Sequence, residues 1–199
     1  MGDGGTSGAA SSRLTETLLA AYTAGTLSEP FAVLVASHLQ LTAVHRVRRA
    51  YGEIIPQHEP WPRQPMPGLH LITAFMPLAL RYYVSRHLGL FEWRTILPGI
   101  KRCLIARDAR GEASFLRCRP GSAIPSHTHA GLEAVLVLQG AFSDHNGHYA
   151  VGDMAVADGT IEHRPVADHP LECIIFMVLE APVRLTGPFG RVIQRIFGA

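Results

Sequence analysis

His127 and His129 stand two residues apart in the segment Gly121–Gly140, GSAIPSHTHAGLEAVLVLQG, and Glu133 follows four residues after them. On an extended strand side chains alternate between faces, so positions 127 and 129 share a face and 133 is in phase with both. Imidazole and carboxylate together suit a borderline divalent metal. A further donor, His163, lies 30 residues beyond Glu133 in GDMAVADGTIEH. These four residues predict a metal cup built from strands. A solvated His-x-His on an exposed strand is the bland alternative, and it gives no role to the flanking glycines, the acid or the distal histidine.

Such a cup needs a sheet around it. From Trp93 onward the chain reads as short strands: 100–106, 114–119, 133–138, 148–156 and 171–179. Turn chemistry separates them at Asp108–Gly111, Pro120-Gly121, Asp144–Gly147 and Asp158-Gly159. Strands at this spacing predict an antiparallel sandwich or barrel. The run after Glu133 is apolar at every position, as a central strand buried on both faces requires.

The N-terminal part has a different period. Leu14, Leu18, Leu19 and Tyr22 recur at helical spacing, with Gly25 as a natural stop. Ser28-Glu29-Pro30 reads as a new start, and Phe31, Leu34, Val35, His38, Leu41, Thr42 and His45 mark one face of a second helix to about Tyr51. The two helices are expected to pair as a hairpin too small to stand alone. Pro56, Pro60, Pro62, Pro65 and Pro67 then exclude helix and central strand and predict an extended joint. A short amphipathic helix is expected over 77–87, and 191–197 fits a last strand or a short helix. The division predicted is 1–12 disordered, 13–55 helical, 56–76 a Pro-rich linker and 77–199 the β domain.

Composition narrows the classes. The chain has 199 residues, 47% hydrophobic, enough for a core of ordinary size. Its net charge of +2 gives no electrostatic case for nucleic acid. Cys103, Cys118 and Cys173 are an odd number without a Cys-x-x-Cys, which fits a reducing compartment rather than a disulfide framework. Residues 1–12 lack an apolar targeting core, and 71–80, the longest apolar run, is broken by Pro77 and too short to span a membrane. The expectation is a soluble, cytoplasmic protein.

The spacing from Gly121 through His127, His129 and Glu133 to Gly140 matches the first cupin motif without a gap. Gly152 to His163 resembles the second more loosely. Gly152, Asp153 and His163 keep their places, while Asp158, Thr160 and Ala167 stand where that motif usually has Pro, Gly and Asn. The resemblance implies a cupin barrel (a double-stranded β-helix, or jelly roll) with His127, His129, Glu133 and His163 as ligands of one divalent metal, zinc first, with Fe, Mn or Ni as alternatives.

A helical segment ahead of a cupin adds a second likeness. LLAAYTAGTLSEPFAVLVASHLQL, HTHAGLEAVLVLQGAF and IEHRPVADHPLECI together resemble the ChrR-type zinc-dependent anti-sigma family, over about Leu14 to Phe197. That resemblance implies a mainly β cupin preceded by a small all-α domain that holds a group IV (ECF) sigma factor. In the family, release of that grip turns on a stress response, in the studied case to singlet oxygen. The family's N-terminal zinc site has a His before the first helix and His-x-x-x-Cys-x-x-Cys on the second. Here those positions carry Arg13, His38, Thr42 and His45, so only His38 is retained. Thr is a poor zinc ligand and Arg is none, so this degenerate set is expected to hold no metal.

Three functions follow from these readings. The first is a ChrR-like regulator whose helices clamp a sigma factor while the cupin senses stress or stabilises the complex. The second is a metal-dependent, dioxygenase-like cupin enzyme, with His145, His148 and Glu162 as acid–base candidates that fit surface loops at least as well. The third is a stand-alone cupin whose helical arm serves packing or a homodimer. The regulator ranks first. It has no catalytic residue, and its sigma contacts are expected on the apolar faces within 14–51, swinging free of the cupin on the linker.

Overall fold

In a computed structural model, described over residues 4–51, 76–87 and 92–186, three helices precede eleven strands. Helix α1 spans Gly4–Thr23, α2 Glu29–Tyr51 and α3 Leu78–Arg86. The strands are β1 (Trp93–Leu97), β2 (Ile100–Asp108), β3 (Gly111–Cys118), β4 (His127–His129), β5 (Glu133–Gln139), β6 (Ala141–Asp144), β7 (Gly147–Ala150), β8 (Met154–Ala157), β9 (Val166–Ala167), β10 (Cys173–Leu179) and β11 (Val183–Leu185). The expected Pro-rich linker, apart from its last residue Met76, and the 191–197 segment lie outside the described residues.

A six-stranded antiparallel sheet in the order β1-β2-β3-β10-β5-β8 is the main wall. Two smaller antiparallel sheets, β11-β4 and β7-β6-β9, complete the barrel. The pleat of β5 sorts its side chains cleanly. Val135 and Val137 join Leu116, Cys118, Phe142, Ile175 and Met177 in one core, while Ala134 and Leu136 join a second core with Phe115, Phe176 and Val178. The expected two-faced burial of this strand is therefore met, and the second covering layer is helical. That core continues through Leu18 of α1, Phe31, Leu34, Val35 and Leu41 of α2, and Leu80, Tyr83 and Val84 of α3. Each such side chain, fully buried, contributes roughly 1.5–3 kcal/mol.

Several sequence expectations need correction. Positions 4–12 are helical rather than disordered: α1 begins at Gly4, and Ser11 is buried with its hydroxyl donating to the Val156 carbonyl at 2.9 Å. A polar residue with one buried bond anchors this end where apolar periodicity is lacking. The helices also pack on the sheet, α1 against β8 and α2 against β5 and β10, and α3 covers α2 further. Their apolar faces within 14–44 are thus covered by the cupin and α3, not free of them. Finally, 148–156 is two strands. Gly152, at φ +91°, turns the chain between β7 and β8, and the Asp153 carboxylate accepts the Ala150 N–H at 2.9 Å. Gly25, at φ +68°, ends the α1 stretch as expected, with the Thr26 N–H reaching the Ala21 carbonyl at 3.1 Å.

Candidate metal centre

Three backbone segments build the cup. β4 carries His127 and His129 on one face, paired with Leu185 and Val183 of β11. Glu133 opens β5, opposite Ala157 of β8 and Leu179 of β10. His163 sits on an isolated bridge to His127, their backbone N–H and carbonyl groups exchanging bonds at 3.0 and 3.1 Å. The turn that aims His163 uses two of the residues that depart from the cupin pattern. The Asp158 carboxylate accepts the Thr160 N–H at 2.8 Å and its hydroxyl at 2.6 Å, fixing without Pro or Gly what those residues usually fix. Ala167, in the usual place of Asn, is buried on β9.

All four donors are buried, and their ligand atoms lie within 4.8 Å of one another. His163 Nε2 is 3.0 Å from His127 Nε2 and 3.1 Å from His129 Nε2. Glu133 Oε1 lies 3.7 Å from His129 Nε2 and 3.6 Å from His163 Nε2. The edges of a tetrahedron with zinc–nitrogen bonds of about 2.0–2.1 Å are roughly 3.3 Å, so small outward shifts of the rings admit an ion. The hydrogen bonds behind the rings decide the chemistry. His127 Nδ1 donates to the Pro125 carbonyl at 2.8 Å, and His163 Nδ1 to the Asp144 carboxylate at 3.0 Å. Rings held this way turn their Nε2 atoms toward each other, the arrangement a bound cation would use.

The electrostatics agree. Burial and the neighbouring imidazoles hold His127 down to about 4 and His129 down to about 3, so both are neutral ligands at ordinary pH. Burial raises Glu133 to about 6. His163 goes the other way: burial works to lower it, and the Asp144 hydrogen bond and the Glu133 and Asp144 charges outweigh that and raise it. Burial likewise pushes Asp144 up, and the hydrogen bonds from His163 and Asn146 outweigh it and bring it down.

Asp144 is a functional residue that the sequence reading does not include. Its turn is legible, because its carboxylate accepts the Asn146 and Gly147 N–H groups at 2.7 and 3.2 Å. Its second task, fixing a ring 19 residues away, has no local signal. The acid–base candidates stay outside the cup. His145 and Glu162 are exposed, and the Glu162 carboxylate accepts the Ser126 and Thr186 hydroxyls. His148, also exposed, lies 3.0 Å from the Asp168 carboxylate. Cys118 and Cys173, distant in sequence, are directly opposed on β3 and β10, and both line the cavity. Burial raises Cys118 to about 12 and Cys173 still further, so both are resting thiols. The free space beside the donors is about 40 Å³, enough for an ion and a water or two.

Of the degenerate N-terminal set, the described side chains of Arg13, His38 and Thr42 are not gathered into a cup. His38 Nδ1 donates to the Gly152 carbonyl at 2.7 Å. The Thr42 hydroxyl donates back to the His38 carbonyl at 2.9 Å, and Arg13 is exposed. His45 lies on α2, with its side chain outside the described residues.

A buried three-histidine, one-glutamate cup that could hold a metal ion, set between the layers of an antiparallel barrel, defines a cupin. Residues 84–182 match the ChrR cupin-like domain family. The anti-sigma-E factor ChrR of Cereibacter sphaeroides is 32% identical over 206 residues, which cover 92% of this chain and 96% of that protein. A chain in the crystal structure of Rhodobacter sphaeroides SigE in complex with the anti-sigma ChrR superposes with a TM-score of 0.60 at 35% identity, over 82% of this chain and 95% of that one. The chain belongs to the ChrR family, across its helices and its cupin alike. No helix among the described residues is long and apolar enough to cross a membrane.

Proposed function

We propose that this chain is an anti-sigma factor, in which the helical segment holds a group IV sigma factor and the metal-holding cupin controls that hold. The observation that carries the reading is the likeness to ChrR over 92% of the chain, helices included, because the cupin alone serves many functions. The small cavity supports a sensing or structural metal over a catalytic one: about 40 Å³ leaves little room for an organic substrate.

His127, His129, Glu133 and His163 hold the metal in this reading, and Asp144 orients His163. Zinc fits best, since three imidazoles and one carboxylate close a tetrahedral shell. Arg13, His38, Thr42 and His45 hold none. Residues 4–51 form the sigma-binding unit and 77–199 the controlling one, at work in the cytoplasm where sigma factors meet polymerase, with oxidative stress as the signal. The test is co-purification. The full chain is expected to capture a group IV sigma factor, with SigE as the probe, and to carry metal when purified without any added. A full chain that captures no such sigma factor would contradict the reading.

A further inference from the structure

We infer that the outer face of the six-stranded cupin sheet and the sigma factor compete for the same apolar face of α1 and α2. The inference rests on the anti-sigma reading and adds the surface through which control is exerted. Leu18, Phe31, Leu34, Val35 and Leu41 are buried in one cluster with the sheet residues Phe115, Leu136, Val156 and Phe176 and with Leu80, Tyr83 and Val84 of α3. Among the described residues, what the two helices leave outside is polar or small, including Arg13, Glu16, Thr17, Ala20 and Thr23 on α1 and Glu29, Ala43 and Arg46 on α2. Among the described residues of α1 and α2, Leu39 is the single exposed large hydrophobic side chain. A stable protein interface takes about 800 Å² from each partner, around an apolar centre. One leucine does not provide that. A partner gripping α1 and α2 through such a centre has to take the face that the cupin now covers.

Two polar bonds hold the helices on the sheet. His38 Nδ1 donates to the carbonyl of Gly152, at the turn between β7 and β8, and Ser11 Oγ donates to the carbonyl of Val156 on β8. The position that in the family serves the N-terminal zinc site thus serves docking here. Ser11, Tyr149 and Val156 line the cavity that contains His127, Glu133 and His163. The docked helix therefore forms part of the wall of the metal cavity, so a change in that cavity bears directly on how tightly the helices are held.

Spin labels on the full chain at Thr17→Cys and Arg94→Cys test the competition. Both positions are exposed, and the native cysteines are buried. Free protein is expected to give one narrow distance, and a group IV sigma factor, with SigE as the probe, to lengthen it. His38→Ala and Ser11→Ala, each removing one bond of the dock, are expected to bind sigma about threefold to tenfold tighter, the range one hydrogen bond sets. Sigma binding with an unchanged distance, or tightening by neither variant, would overturn the competition and leave the anti-sigma reading standing. Absence of any sigma binding by the wild type would remove both. A broad distance distribution in the free protein would show that the helices are not docked, and would overturn the inference without touching sigma binding.

Discussion

The metal cup and the degenerate histidine set on α2 show similar promise in the sequence and end in opposite states. The cup draws donors from β4, β5 and the turn before β9, and two of its three rings are held from behind by a carbonyl or a carboxylate. Arg13, His38 and Thr42 have neither convergence nor backing: one is exposed, one is bonded to the cupin and one is bonded to its own helix. The difference teaches that a metal site is specified by what aims its ligands as much as by the ligands themselves. It also shows how a former ligand position can be reused, since the imidazole of His38 still makes one directed bond, now to a carbonyl.

The largest effect is expected from emptying the cup. The double change His127→Ala/His129→Ala should abolish metal binding and lower stability by about 4 kcal/mol at metal concentrations a thousandfold above Kd. Thermal unfolding with and without chelator checks it: the wild type should lose stability on chelation and the variant should not. Next is the packing between helices and sheet. Leu34→Ala removes a fully buried side chain and should cost roughly 2–5 kcal/mol, read by denaturant unfolding, with metal content unchanged.

Asp144→Asn should weaken metal binding about 10–100-fold in a competitive chelator titration. The same variant probes the pH response. A proton competes with the metal for each ring, and His163, whose pKa is raised, takes one first as pH falls, whereas His127 and His129 stay neutral down to about 4 and 3. Metal release on acidification should therefore follow His163, and losing the Asp144 charge should move its protonation to lower pH. The smallest effect belongs to the α2 set. His38→Ala should cost about 1 kcal/mol, seen as faster amide exchange in α2, with no change in bound metal.

How far each region can be read from the sequence follows from the range of the forces that built it. The His-x-His, the in-phase glutamate and the distal histidine are legible because a strand has a fixed period, and donors that fall on one face by chance seldom number four. The strand β5, the stop at Gly25 and the helix at 78–86 are legible for the same local reasons. The break at Gly152 is not, since its flanks, HYAV and MAV, continue the apolar alternation through the turn. The helical start at Gly4 is hidden by small polar residues, whose anchor is a hydroxyl bonded 145 residues away. The docking of α1 and α2 on the cupin is hidden because an apolar stripe says that it will be covered and not by what.

The most direct test of the contrast between the two regions is the metal stoichiometry of the full chain, purified without added metal and measured by elemental analysis. One divalent ion per chain, lost in His127→Ala/His129→Ala and kept in His38→Ala, is the result expected. A folded wild type without metal would contradict the cup, and two ions per chain, one of them lost in His38→Ala, would contradict the reading of the α2 set as a docking contact.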